Sequence, residues 1–382
     1  MKVYLDYNAS TPVDARVLEA MTECLAGDVG NPSSTHQFGR AARARLETAR
    51  EQVAALVGAH PSQVIFTGGG TEANNLAVQA VTRGRQPGRL AVSSIEHPSV
   101  LEPASALAEQ GWQLDRIAVD DQCRVTAGAL ADNLHPDTRL ISVMAANNET
   151  GAIQAIGELA ERSRSVGAVF HSDAIQAAGK VMLDFESSGV QLMTLSAHKI
   201  YGPKGVGALI ADRSLELSPL IVGGGQERGI RAGTENLAGV VGFGLAAELA
   251  KMELRKRAVH TRRLRDRLQA GLARYPEISV FAAEAERLPN TVQLAVAGID
   301  GETLLMQLDR AGIAVSSGSA CSSGKTSPSH VLMAMGVDAD QARSAIRVSL
   351  GTETTQADID VLLAALGQQL KWIQKTSRAA GW

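Results

Sequence analysis

Aromatic residues make up only 3% of this 382-residue chain. That scarcity argues against a stacking platform for single-stranded nucleic acid. Cysteine is scarce too: Cys24, Cys123 and Cys321 are too few and too scattered for a disulfide framework or a zinc site. A reducing compartment is therefore expected, and any cysteine with a role is expected to be free. An excess of one charge is also lacking. The net charge is −3, which gives no bulk attraction to nucleic acid or anionic lipid. No apolar run approaches membrane-spanning length. The opening residues, Met1 to Ser10, hold neither an apolar signal core nor an Arg-rich amphipathic presequence. A soluble, cytoplasmic protein is expected, with no direct nucleic-acid binding and no membrane association.

What is present is ordinary for a globular protein: 45% hydrophobic and 20% charged residues. The length exceeds what one core usually organises, so two domains, or one large domain with an appendage, are expected. Short apolar runs read as strands at Val64–Thr67, Leu90–Ser94, Leu114–Val119, Leu140–Ala145, Val169–Ser172, Leu192–Ser196 and Val206–Ile210. Amphipathic stretches lie between several of them. In Ala42–Val57, apolar Leu46, Ala49, Val53 and Leu56 recur at helical spacing, and Gly58 follows as a C-cap. Alternation of this kind predicts an α/β fold with a mostly parallel sheet. After Asn236 the pattern changes to a long helical region over Ala238–Arg274, broken once. Strand candidates follow at Thr291–Val296, Ala314–Ser316 and Ile346–Ser349, then a final helix over Gln356–Gln374. We read this as a smaller α+β domain. The expected division is a large domain over 15–255 and a small one from 1–14 and 256–382.

Chemistry concentrates in a few segments. Gly68-Gly69-Gly70-Thr71-Glu72-Ala73-Asn74 follows a strand and opens a helix. Glycines allow close backbone approach, and helix N-terminal N–H groups favour an anion. The segment reads as a phosphate cradle or as a plain turn capped by Thr71. His171 to Gln176 ends another strand, where ligands gather in open α/β sheets. Asp173 there suits a buried pyridinium nitrogen, or it caps a following helix. Lys199 sits between the strand ending at Ser196 and the turn Gly202-Pro203-Lys204-Gly205. Loss of solvent there frees its amine for imine formation, and Ser196 and His198 can donate to phosphate.

Cys321 lies in Ser316-Ser317-Gly318-Ser319-Ala320-Cys321-Ser322-Ser323-Gly324-Lys325, a small, polar segment suited to an accessible nucleophile. Cys24 and Cys123 read as inert structural cysteines. His97 follows a strand and suits stacking on a planar ring, or a structural role. Asn147 and Asn148 end a further strand and suit amide contacts or turn chemistry. Arg347 suits a bidentate clamp on a carboxylate, or a surface ion pair.

Taken together, these segments resemble the cysteine desulfurases of the NifS/IscS type, within the class V aminotransferase family of fold-type I pyridoxal-phosphate (PLP) enzymes. The likeness runs from Tyr4-Leu5-Asp6-Tyr7-Asn8-Ala9 through Gly30-Asn31-Pro32-Ser33-Ser34, Glu96-His97-Pro98 and Gly223–Asn236 to Arg347–Leu350. It implies a PLP-transferase fold of type I with a mostly parallel seven-stranded sheet.

It also implies roles for individual residues. Lys199 would hold PLP as a Schiff base, Asp173 would pair with the ring nitrogen, and Gln176 with the ring hydroxyl oxygen. His97 would stack on the ring and assist proton transfers. Gly70, Thr71, Ser196 and His198 would bind the phosphate. Thr234 of a neighbouring subunit would complete that site, which implies a homodimer. Asn148, or Asn147 beside it, and Arg347 would contact the substrate, L-cysteine. Cys321 would take the sulfur as a persulfide and deliver it to an acceptor protein such as an iron–sulfur scaffold, or toward tRNA and other thio-cofactor sulfuration.

The chain stops at Trp382, soon after its last helix, without the longer tail of the housekeeping IscS type. That argues against scaffold docking of the IscS kind, while Asn147–Gly151 and Arg231–Asn236 look more like NifS-type members, which would favour a dedicated acceptor. Selenocysteine lyase, or a catalytically silent PLP-fold protein, are the competing readings. Cys321 argues against the first, and Lys199, Asp173, His97 and Cys321 together argue against the second.

Overall fold

The computed structural model describes residues 2–317 and 327–379, with side chains up to residue 371. Seven strands build the main sheet: β2 Val64–Thr67, β3 Arg89–Ser93, β4 Gln113–Ile117, β5 Thr138–Ser142, β6 Val169–Asp173, β7 Leu192–Ser196 and β8 Gly207–Ala211. β1 is Val3–Tyr4. The order across the main sheet is β2-β8-β7-β6-β5-β3-β4. All pairings are parallel except those of β8, which runs antiparallel to both β2 and β7. The mostly parallel sheet expected from the sequence is thus present.

Burial of both sheet faces explains the apolar runs, because successive side chains enter different cores. Phe66, Ile141, Met193 and Ile210 pack with Val17 of α1 (Ala15–Gly27), Leu46 and Val53 of α2 (Gln37–Leu56), and Phe243 of the helix Leu237–Met252. Their neighbours Ile65, Leu140, Leu192 and Leu209 point the other way. They meet Leu76 of α3 (Gly70–Ala80) and Val100 and Leu107 of α4 (Pro98–Ala108). Leu46, Ala49 and Val53 are buried as their spacing predicts, and Gly58 takes a left-handed φ of +64° beyond the helix end. The helix begins earlier than expected, because His36 caps it by accepting from Gly39 N–H.

The remaining strands are β9 Ile278–Val280, β10 Thr291–Val296, β11 Ile313–Ala314, β12 Ser316–Ser317 and β13 Ala345–Ser349. β12-β13-β10-β9 form an antiparallel sheet, and β1 pairs in parallel with β11. The single strand expected over Ala314–Ser316 is therefore two short ones that serve different sheets. Val3 and Leu5 join the core around Leu294, Ile346 and Leu366, so the N-terminal residues do pack with this part of the chain. The long helical region breaks once, at Glu253, between Leu237–Met252 and Leu254–Leu272. The last helix, Gln356–Ala379, runs further than expected. No helix among the described residues is long and apolar enough to cross a membrane.

Because β2 and β7 both oppose β8, the carboxyl ends of β2, β3, β5, β6 and β7 share one edge of the sheet. That edge is where an open α/β sheet presents a ligand site.

Candidate active site

A cavity of about 320 Å³ opens at this edge. Each strand end supplies part of its wall: Gly70 and Thr71 after β2, His97 and Ser99 after β3, Asn148 after β5, Asp173 and Gln176 at β6, and Ser196, His198 and Lys199 at β7. Arg347 of β13 and Asn8 close it from the other side. The predicted site residues thus converge, except Thr234 and Cys321. Thr234 is exposed, on the segment leading to the helix Leu237–Met252. Arg231 holds that segment to α3 through Glu72, at 2.8 Å. Cys321 lies outside the described residues.

At one end of the cavity the backbone forms a cradle. Gly69 has φ +152° and ψ 177°, and α3 starts after it with no side-chain cap. Thr71 is therefore not the cap but an exposed wall residue. A Cβ on Gly70 would come within 2.4 Å of Ile175 Cδ1. Beside this turn, the buried Ser196 hydroxyl has no hydrogen-bond partner. An orphaned donor beside uncapped helix N–H groups is suited to an anion's oxygens. His198 stands next to it, 3.3 Å from Ser10 Oγ, and burial pushes its pKa down to about 4.

Asp173 is 5% exposed. Its Oδ1 accepts from Ile175 N–H at 2.9 Å and its Oδ2 from Asn74 Nδ2 at 2.7 Å. The turn-capping alternative is thus satisfied by one oxygen only. Burial pushes the carboxyl up, while Ile175 N–H, His97, Asn74 and Lys199 pull it back. A buried carboxylate set among neutral donors is suited to a cationic ring nitrogen. Lys199 projects from the turn after β7, and its Nζ donates to the carbonyls of Asn8 at 2.5 Å and Ala9 at 2.8 Å. Gln176 Nε2 donates to the same Asn8 carbonyl at 3.0 Å.

His97 has a structural duty as well as a place in the wall. It caps α4, its Nδ1 accepting from Ser99 N–H at 3.1 Å. Burial holds its pKa below the ordinary histidine value. Arg347 is buried, not a surface group. It donates to Asp6 Oδ1 at 2.8 Å and to the Asn148 carbonyl at 3.1 Å, while its Nε has no partner.

The two asparagines differ in burial. Asn147 Oδ1 accepts from Glu149 N–H, Thr150 N–H and Thr150 Oγ, so its side chain is used up in the turn. Asn148 lines the cavity. Among the described cysteines, burial pushes Cys24 up to about 11 and Cys123 up to about 12, so both stay thiols at neutral pH.

Asn8 and Glu96 went unrecognised as separate site residues in the sequence. Asn8 lies far from every strand end in the chain. Yet it touches Lys199 and Gln176 through its carbonyl and the Asn148 carbonyl through Nδ2. Only long-range packing reveals it. Glu96, beside His97, accepts from Ser93 Oγ at 2.5 Å and Met144 N–H at 2.7 Å, tying β3 to β5. Burial pushes its pKa up to about 8.

The folded pKa of Glu96 thus lies above the unfolded one. Its contribution to stability is complete below about pH 4.5 and lost as pH rises toward about 8. Glu96→Gln keeps the acceptor for Ser93 and Met144 but removes the titration. It is expected to flatten the decline of stability between about pH 5 and pH 8, by up to ~1.4 kcal/mol per pH unit. Denaturant unfolding of the cofactor-free proteins measures this, and equal slopes would exclude Glu96 as the titrating group.

A glycine turn at a helix N-terminus, a buried carboxylate, an amine and an imidazole line one cavity, an arrangement of the pyridoxal-phosphate class. The profile of the family "Aminotransferase class-V" matches residues 3–362. A cysteine desulfurase of Trichormus azollae is 42% identical over 100% of this chain and 96% of its own length. The "Cysteine desulfurase IscS" of Dictyoglomus turgidum is 41% identical, over 98% of this chain and 96% of its own. A solved structure titled "NIFS-LIKE PROTEIN" superposes with a TM-score of 0.91 at 37% identity, over 97% of this chain and 100% of that one.

The chain belongs to the class V aminotransferase family and has its type I fold. Within that family it is a PLP-dependent cysteine desulfurase of the NifS/IscS type, acting on L-cysteine. The residues present fit the cofactor: the orphaned Ser196 hydroxyl and the uncapped Gly69–Gly70 turn suit its phosphate, and Asp173 suits its ring nitrogen.

Proposed function

We propose that this desulfurase holds its cofactor through Lys199 and passes the sulfur of L-cysteine to Cys321. The convergence of Lys199, Asp173 and the partnerless Ser196 hydroxyl on one cavity carries this reading. When bound, PLP supplies an electron sink for the bond changes at the substrate. Asp173 would keep the ring nitrogen cationic, Gln176 would donate to the ring hydroxyl oxygen, and His97 would pack on the ring and move protons. Gly70, Thr71, Ser196 and His198 bind the phosphate. Asn148 and Arg347 orient the substrate carboxylate. Arg347 is held by Asp6, and its unpartnered Nε remains available.

The Cys321 thiolate attacks the substrate sulfur. The new S–S bond forms as the Cβ–S bond breaks, and the Cβ carbon takes a proton to leave L-alanine. The persulfide then goes to an acceptor protein. An iron–sulfur scaffold is one such acceptor, and iron–sulfur cluster biogenesis is the corresponding use. The work is divided between a large domain over 15–255 and a small one from 1–14 and 256–382. Two copies share their sites, with Thr234 of each completing the other's phosphate cradle. The exposure of Thr234, away from its own cavity, supports that arrangement. The enzyme works in the cytoplasm.

The test is to expose the PLP-loaded protein to L-cysteine and weigh the peptide containing Cys321. One added sulfur is expected, with L-alanine formed in step. Cys321→Ser is expected to lose alanine formation and keep the cofactor's visible absorbance. Normal turnover by Cys321→Ser would overturn the assignment.

A further inference from the structure

The reaction as proposed leaves Lys180, beside this site, without a role. It lies at the end of the turn after β6, four residues beyond Gln176. It does not line the main cavity. It lines a narrow cleft behind it, together with Lys199, Tyr7 and Asn290. Its Nζ donates to Gln176 Oε1 at 2.7 Å and to Asn8 Oδ1 at 3.2 Å. Its charge is poorly placed there: burial, Lys199 and Arg347 all push its pKa well below the ordinary lysine value. A group that costs stability in this way persists for another reason.

The geometry supplies one. An amide has two faces of opposite chemistry, a carbonyl that accepts and an NH₂ that donates. Gln176 shows Oε1 to Lys180 and Nε2 to the Asn8 carbonyl, which also accepts from Lys199. One N–H of Gln176 is used by Asn8, and the second is left for the ligand. A flipped amide would turn a lone pair toward an anionic ring oxygen and repel it.

We propose that Lys180 is a positioning residue that locks the Gln176 amide with its NH₂ toward the cofactor's ring oxygen. This inference rests on the reading of the cavity as a PLP site. Lys180→Met removes the donor and keeps the stem. An N–H donor stabilises negative charge on the ring oxygen, so its loss favours the protonated cofactor. In the PLP-loaded protein, Lys180→Met is expected to raise the pH midpoint of the visible absorbance by about half a unit. Cofactor binding is expected to weaken by about five-fold. In a Gln176→Ala background the same substitution is expected to change neither. Lys180→Gln, taken through the same cycle, replaces Lys180→Met should the latter not fold.

A wild-type midpoint and affinity in Lys180→Met would overturn the role of Lys180. So would an undiminished effect in the Gln176→Ala background, because Lys180 would then act independently of Gln176. Wild-type protein that develops no visible absorbance with PLP would overturn the underlying site reading instead.

Discussion

Lys199→Ala is expected to take up PLP without covalent attachment and to lose turnover of L-cysteine by at least ~10⁴-fold. Alanine has no amine to bond the cofactor and none to move a proton at the substrate. The fold should survive, because the Lys199 side chain sits in the cavity wall, outside the apolar cores, and donates to the backbone carbonyls of Asn8 and Ala9. Such bonds contribute about 1–3 kcal/mol each. The measurement is the visible absorbance of the purified protein with PLP, together with alanine formation. Retention of the lysine-bound absorbance by the variant would reassign the attachment, and Lys180 would then be the amine to examine.

Asp173→Ala should leave that absorbance in place and still reduce turnover by about 10²–10³-fold. On the proposed reading the carboxylate acts through charge: it would keep the ring nitrogen protonated and therefore electron-withdrawing. The proposed attachment through Lys199 would not depend on it. Alanine is the cleaner replacement, because asparagine would set its NH₂ against that of Asn74, which now donates to Asp173 at 2.7 Å. The two variants thus separate in sign: one loses the absorbance, the other keeps it without the activity. Wild-type turnover in Asp173→Ala would show that its carboxylate has no part in the chemistry.

Much of this site was legible in the chain because its parts lie at strand ends. A strand buried on both faces must be apolar, so a polar cluster that interrupts such a run marks the edge of the sheet. Gly68–Asn74, Glu96–His97, Asn147–Gly151, Asp173–Gln176 and Ser196–Lys199 all follow strands predicted within a few residues of those observed. Local signals failed where two parts of the chain compete for one short segment. Ala314–Ser316 reads as a single strand by composition, but β1 pairs with its first half and β13 with its second.

The sequence by itself determined the α/β class and the strand ends that bear polar clusters, and the family resemblance of those clusters gave the PLP class and a candidate sulfur-carrying cysteine. These are properties of local pattern, and local pattern is written in neighbouring residues. Tertiary structure alone decided which of two adjacent asparagines faces the cavity, because the other is consumed by its own turn. It alone brought in Asn8 and Lys180. Asn8 sits near the N-terminus, and its buried amide and carbonyl meet Lys199, Gln176, Asn148 and Lys180 at once. No periodicity marks such a residue. Its role exists only where distant segments must satisfy one another's hydrogen bonds away from water.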